Sequence, residues 1–67
     1  MKRSITIVNG ERSIIVSGSP EAVKALLAWS KENKRGKHKK HMIVCKCPND
    51  LIACSLKAKF LNLEVSN

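Results

Sequence analysis

Near the N-terminus, residues 5–8 and 13–16 form two short runs that are rich in Ile and Val, as is typical of β-strands. They flank an Asn-Gly pair at residues 9–10, which is the strongest short signal for a β-hairpin because both central turn residues must tolerate positive φ. A two-residue turn at this pair predicts a register in which Val8 lies opposite Glu11. One face of the predicted hairpin then carries the apolar side chains of Ile5, Ile7, Ile14 and Val16.

A helix is predicted directly after the hairpin. Ser19 is a favourable N-cap, and Pro20 suits the first helical position because its missing N–H would have no partner there. The apolar stripe has helical spacing and consists of Val23, Leu26, Leu27 and Ser30, with Trp29 beside it. We expect this helix to end near Asn33, with Gly36 as a stop signal. Its stripe should pack on the apolar face of the hairpin, with Trp29 in the core or at its edge.

The segment from residue 31 to residue 41 differs in composition from the rest of the chain. It contains six basic residues, one Glu and two His, and no apolar residue. We therefore expect its second half to be a solvated, mobile loop. The next four residues, 42–45, are continuously apolar, which is typical of a central strand buried on both faces.

The C-terminal part of the chain allows two interpretations. As a strand, residues 51–61 alternate between apolar and polar positions. As a helix, they place Ile52, Leu56, Phe60 and Leu63 on one stripe, and Asn49 or Asp50 supplies the cap. Three Leu, two Ala and two Lys without a Gly slightly favour the helix. Residues 63–65 are expected to add a short edge strand.

These elements predict one α+β domain spanning residues 1–67. Its small antiparallel sheet, the hairpin plus a third strand, is packed by one helix, and a second helix or a fourth strand follows at the C-terminus. A chain of 67 residues with one Trp, one Phe and no Tyr builds a thin core. We therefore expect support from a partner chain, for example in a homodimer through an exposed sheet edge.

Charge adds a functional expectation. Thirteen Lys and Arg against five Asp and Glu give a net charge of +8 and a pI near 9.9, and a pI above about 9 is typical of nucleic-acid binders. The candidate phosphate contacts are the basic residues of the central segment: Lys31, Lys34, Arg35, Lys37, Lys39 and Lys40. Because the chain has few aromatic side chains for stacking, a duplex backbone is a better ligand than single-stranded nucleic acid. Complementing a helix dipole and keeping the domain soluble would explain the same lysines structurally.

The alternative is a protein-interaction module, an inhibitor or adaptor that docks on an acidic surface of a larger protein. The basic residues outside the segment separate the two functions: Arg3, Arg12, Lys46, Lys57 and Lys59. Their grouping with the segment on one face would favour nucleic acid, and their dispersal would favour a protein partner. Replacing Lys34, Arg35, Lys37, Lys39 and Lys40 with Ser is expected to abolish function while leaving the fold intact.

Cysteine and histidine form the one metal-like cluster in the sequence, which consists of His38, His41, Cys45, Cys47 and Cys54. Structural zinc sites favour Cys pairs separated by two to four residues, whereas a single residue separates Cys45 from Cys47. We therefore predict folding without zinc and without any cofactor, with cysteine acting as a small core hydrophobe.

Catalysis and membrane binding find little support in the sequence. The five carboxylates are scattered, and neither a Gly-rich phosphate loop nor a nucleophile motif occurs, so we predict a protein that is not an enzyme. Three cysteines are too few for a disulfide scaffold, which favours the cytoplasm. No membrane association is expected, because no signal-peptide pattern occurs and no apolar run reaches the roughly 20 residues that a span requires.

Overall fold

The computed structural model describes residues 1–39 and 41–66. In chain order its elements are β1 (Arg3–Asn9), β2 (Arg12–Gly18), α1 (Pro20–Glu32), β3 (Lys37–Lys39), β4 (Met42–Val44), α2 (Pro48–Phe60) and β5 (Glu64–Ser66). The strands form one sheet in the order β3-β4-β1-β2-β5. Both helices cover the same face of this sheet, because strand side chains of a single face share one core with them. The predicted α+β class is confirmed.

The N-terminal hairpin forms, but its register differs from the prediction by two residues. Asn9 pairs with Arg12, so Gly10 and Glu11 are the central turn residues. Gly10 has a φ of 60°, and its following neighbour keeps a negative φ, the pattern of a type II′ turn. A shift of two residues keeps every side chain on its face, and Ile5, Ile7, Ile14 and Val16 are all buried as expected.

The sheet is mixed, which corrects the expectation of a purely antiparallel one. β4 pairs in parallel with β1, with Ile7 opposite Ile43. β2 runs antiparallel to β1. After α1, β3 runs antiparallel to β4, and β4 therefore has the direction of β1. β4 is an interior strand, but its burial on both faces was wrongly predicted. Ile43 is buried, whereas Met42 and Val44 on the other face are only partly covered.

The basic segment is not a mobile loop throughout, which is a second correction. Residues 37–39 form β3, an edge strand paired antiparallel with β4. Gly36 makes this turn possible: its φ is 133°, and a Cβ atom there would lie 2.5 Å from the Val44 carbonyl oxygen. The polar composition of β3 suits an edge strand, because only one side of its backbone is paired. The polar composition of residues 37–39 therefore predicted a loop, whereas backbone hydrogen bonds to β4 make these residues a strand.

Helix α1 confirms its prediction in detail. The Ser19 hydroxyl accepts a hydrogen bond from the Ala22 amide at 3.2 Å, and Pro20 begins the helix. The helix ends at Glu32 with Asn33 as the C-cap. Its buried residues are Val23, Leu26 and Ser30, with Leu27 and Trp29 partly buried against the core.

Residues 48–60 form helix α2, so the helical interpretation of this region is confirmed. Two details differ from the prediction. The N-cap is Cys47, without a side-chain cap hydrogen bond, rather than Asn49 or Asp50. The buried face is a stripe of smaller side chains, Leu51, Cys54 and Ala58, and the predicted stripe of Ile52, Leu56 and Phe60 faces solvent.

Helix α2 has two apolar stripes, and its rotation about its own axis depends on which of them packs against the sheet. Residues 51, 54 and 58 have helical spacing and lead into Leu61 and Leu63, which also pack in the core. Small side chains on this stripe let the helix pack closely on the sheet. β5 then pairs antiparallel with β2, which confirms the expected edge strand. In the described part of the chain, neither helix is long and apolar enough to cross a membrane.

Candidate functional site

A basic concave surface lies between α1 and β3. This α1–β3 groove has a volume of about 480 Å³. It is lined by Lys24, Leu27, Ala28, Lys31, His38 and Lys39. The spacing of residues 24, 28 and 31 places them on one side of α1. The two helical lysines therefore line the groove on one side, and β3 supplies the other side.

A hydrogen bond between His38 and Ser30 fixes β3 against α1. The Ser30 hydroxyl donates to the Leu27 carbonyl oxygen at 3.0 Å, and it lies 2.5 Å from Nε2 of His38. Ser30 Oγ and His38 Nε2 are thus hydrogen-bonded, with the donor set by the tautomer of the imidazole. Ser30 has no solvent-exposed surface, so this pair orders the groove and does not present a nucleophile.

The charge of the groove has one sign. Lys24, Lys31 and Lys39 are among the lining residues, and none of the described lining residues is acidic. Lys39 lies opposite Met42 on the face of the sheet away from α1, so the ammonium groups on the α1 side of the groove are those of Lys24 and Lys31. Leu27 and Ala28 supply an aliphatic surface between them. Lysine is a flexible point charge with three donors and no acceptor. The groove is therefore suited to a ligand with several negative oxygens, such as a phosphate backbone.

The structure brings together only some of the predicted contact residues. Lys31 and Lys39 line the groove. Lys37 is exposed on the same edge strand, and Lys34 is exposed after α1 with a φ of 53°. Lys40 lies outside the described residues. The charged segment is thus divided between a groove side, an edge strand and a turn.

Arg35 has a structural role that its place in the basic segment did not indicate. Its Nη1 donates to Oδ1 of Asp50 at 3.0 Å, and its guanidinium lies 5.9 Å from the centre of the Trp29 ring. Its backbone N–H donates to the Ser30 carbonyl oxygen at 2.8 Å. Arg35 therefore joins the end of α1 to the start of α2, and the loop interpretation is wrong for this residue.

The Arg35 guanidinium holds the pKa of Asp50 below its ordinary value, and a hydrogen bond from the Cys47 side chain adds to this effect. The Asp50 side chain is 15% exposed. A partly buried carboxylate with these two partners is stabilised in its charged form. Asp50 thus serves as the partner of Arg35 and the first-turn acid of α2.

Lys24 is the groove residue that sequence reasoning missed. It lies outside the basic segment, seven residues before Lys31. The available signal was the shared helix side of these two lysines. Lys39 is fifteen positions beyond Lys24, and the two line one groove only because β3 folds back beside α1.

The other basic residues are dispersed. Arg3 pairs with Gly18 at one end of the hairpin, and Arg12 pairs with Asn9 at the other. Lys46 follows β4, and α2 carries Lys57 and Lys59. These five residues do not line the α1–β3 groove. By the criterion set from the sequence, this dispersal favours a protein partner over a nucleic-acid-binding face, and it leaves the α1–β3 groove as a local basic site.

The thiols of Cys45 and Cys54 are buried and hydrogen-bonded to each other. Burial raises the pKa of Cys54 to about 12 and also raises the pKa of Cys45. A thiol must lose its proton to act as a nucleophile or a metal ligand. Both side chains are therefore held in the neutral form and contribute apolar volume to the core.

The remaining metal candidates lie in different surroundings. His38 is bonded to Ser30, His41 is exposed, and Cys47 is partly buried beside Asp50. Within residues 1–39 and 41–66, no group of three or more His, Cys, Asp or Glu side chains is placed to hold a metal ion.

Comparisons of the chain with protein families, with characterised proteins and with solved structures find no match.

Proposed function

We propose that this is a small, non-enzymatic nucleic-acid-binding protein, with an accessory or regulatory role, that contacts the phosphate backbone through the α1–β3 groove. The observation that carries the proposal is one open groove with Lys24 and Lys31 on its α1 side and Lys39 on the strand at its edge. No acidic side chain among the described lining residues offsets them. The site residues are Lys24, Lys31 and Lys39, with Lys34, Lys37 and Lys40 as further contacts on the same segment.

The dimensions of the groove agree with this ligand. Lys24 and Lys31 are seven residues apart, which is about 10 Å along a helix. One strand of B-DNA presents a phosphate about every 3.4 Å of axis. The two lysines thus span about three phosphates, and Lys39 belongs to the strand that forms the other edge of the groove.

A duplex backbone fits better than a single strand. Single-strand binders stack bases on aromatic side chains. No Phe, Tyr or Trp is among the described residues that line the groove, and the imidazole of His38 is hydrogen-bonded to Ser30. Trp29 lies at the core edge beneath Arg35. The floor offers Leu27 and Ala28, which have no flat face for a base. Phosphate contacts therefore carry the proposed affinity.

The alternative function, an inhibitor or adaptor that docks on an acidic protein surface, is supported by the dispersed basic residues and by an exposed apolar stripe on α2. A homodimer through a sheet edge has less support. The edge strands β3 and β5 have three residues each, and β3 carries exposed Lys37 and Lys39, which discourage edge pairing. The cytoplasm remains the proposed compartment, because the three cysteines are free.

The test is equilibrium binding to a labelled duplex of about 20 base pairs. The groove variant replaces Lys24, Lys31 and Lys39 with Gln, which keeps good helix propensity. The matched control replaces Arg3, Arg12 and Lys46 with Gln, so both variants lose three positive charges. We expect the groove variant to weaken binding at least about tenfold and the control less than about threefold. Equal weakening would show that only net charge matters and would refute the groove assignment.

A further inference from the structure

Helix α2 presents a stripe of large apolar side chains to solvent. Ile52 is 52% exposed, Leu56 60% and Phe60 78%. Their spacing of four residues places them in one row along the helix. The stripe extends over nine residues, from 52 to 60, or about 12 Å along the helix axis. A row of this kind on one face differs from the single exposed Ile15, which lies on the opposite face of the sheet.

Folding of the described chain gives the stripe no internal partner. The opposite side of α2 already supplies Leu51, Cys54 and Ala58 to the core. Rotating the helix to bury the stripe would expose those side chains and break the contact between Arg35 and Asp50. Contiguous exposed apolar surface commonly marks an interaction site.

Positive charge borders the stripe on both sides. With 100° per residue, Lys59 falls on one side of the row and Lys57 on the other. The Lys57 ammonium lies 4.8 Å from the centre of the Phe60 ring. Asp50 is the one acidic residue of α2, and it is paired with Arg35. The rim of the stripe is therefore basic.

A cleft continues the stripe toward the sheet. It has a volume of about 270 Å³ and is lined by Ile14, Leu51, Ile52, Ser55, Lys59 and Val65. Ile52 and Lys59 thus belong to both the row and the cleft. A depression lined by four aliphatic residues, a Ser and a Lys accepts a protruding side chain, which a flat surface does not.

We propose that this α2 surface, the stripe of Ile52, Leu56 and Phe60 with its cleft, binds an acidic amphipathic helix of a partner protein. The partner's apolar side chains lie along the stripe at spacings of three and four residues, and one of them enters the cleft. Its Asp or Glu side chains pair with Lys57 and Lys59. This site is independent of nucleic-acid binding by the α1–β3 groove, and it gives the adaptor function a defined surface.

Charge and shape decide between the possible occupants. A second copy of the chain also carries a net charge of +8, and its own Lys57 and Lys59 would oppose those of the first copy. The headgroups of an anionic membrane could pair with Lys57 and Lys59, but a planar bilayer would not fill the cleft. An acidic amphipathic helix can cover the apolar row, pair with the two lysines of the rim and place one side chain in the cleft.

The experiment selects displayed random peptides of about 16 residues, about four helical turns, on the immobilised protein. Enriched peptides are expected to combine apolar residues at spacings of three or four with Asp or Glu, and to bind with micromolar Kd. Leu56→Ser and Phe60→Ser should weaken their binding at least about tenfold. Ile15→Ser, an apolar exposed residue on the other face, is the matched control and should leave binding unchanged. Circular dichroism checks that each variant is folded.

Several results would overturn the proposal: no enriched sequence, enriched basic peptides, or peptides that bind Leu56→Ser as well as the original protein. Sedimentation that shows a dimer dissociated by Leu56→Ser would assign the surface to a second copy. Binding to phosphatidylserine vesicles that is lost in Leu56→Ser would assign it to a membrane. Duplex binding by the same variants should remain unchanged, so this proposal and the groove proposal can fail separately.

Discussion

At the residue scale, a few side chains hold the two helices together. Arg35 contacts Asp50 and Trp29, and the Cys47 side chain is hydrogen-bonded to Asp50. Charge in the sequence identified Arg35 as a ligand contact, because a guanidinium in a basic segment gives no sign of its partner. The partner lies fifteen positions away, so only the folded chain distinguishes a structural Arg from a binding one.

Replacing Asp50 with Asn should change the response of the protein to acid. The folded pKa of Asp50 lies below its ordinary value of 3.8, so its stabilisation is complete above that value and is lost as pH falls through the folded pKa. We therefore expect Asp50→Asn to be less stable than the original protein at neutral pH. The difference should shrink below about pH 4. Urea unfolding at several pH values measures it, and a difference that does not change with pH would contradict the ion pair.

The three thiols should react at different rates. Cys45 and Cys54 are buried, and burial raises the pKa of both, whereas Cys47 is partly exposed. Near neutral pH a thiol reagent should modify one cysteine per chain quickly, and Cys47→Ser should remove that fast phase. The other two should react at the rate at which the chain unfolds. Fast modification of two or three cysteines in the folded protein would show that the described core is wrong.

At the element scale, the sequence predicted the elements that depend on interactions between neighbouring residues, namely helix α1 and the two faces of the hairpin. The cap at Ser19 and the stripe of α1 belong to neighbouring residues, so the helix could be predicted nearly to its last residue. The hairpin faces were predicted for the same reason, although the turn moved to Gly10 and Glu11. Interactions between distant elements decided the rest. β3 is a polar strand that forms because it pairs with β4. Helix α2 has two apolar stripes, and the sheet that it packs against determines which of them is buried.

The position of β3 should depend on Ser30. Ser30→Ala removes the hydrogen-bond partner of His38 Nε2, and loss of one such hydrogen bond costs about 0.5–1.5 kcal/mol. Hydrogen exchange should therefore accelerate at the β3 and β4 amides that pair with each other. The hairpin amides of β1 and β2 should change much less. Uniform acceleration across the sheet would mean that the bond supports the whole fold and not the groove side.

At the scale of the whole molecule, the thin core and the charge distribution have separate consequences. Aliphatic side chains and buried cysteines close the core, with Trp29 at its edge, as a chain with few aromatics requires. The net charge could be predicted as a sign of an anionic partner, but the groove could not. Lys24, Lys31 and Lys39 line the same groove because β3 packs beside α1. Neither their spacing in the sequence nor their charge indicates that these two elements are neighbours.

The most direct test of the groove is the salt dependence of duplex binding between about 0.05 and 0.2 M salt. Each lost phosphate contact should reduce the slope of log K against log salt by about 0.9. Replacing Lys24, Lys31 and Lys39 with Gln should therefore make the slope shallower by about 2.7. The control that replaces Arg3, Arg12 and Lys46 should keep the original slope. If the groove variant keeps that slope, or if both variants lose it equally, the groove lysines do not contact phosphates.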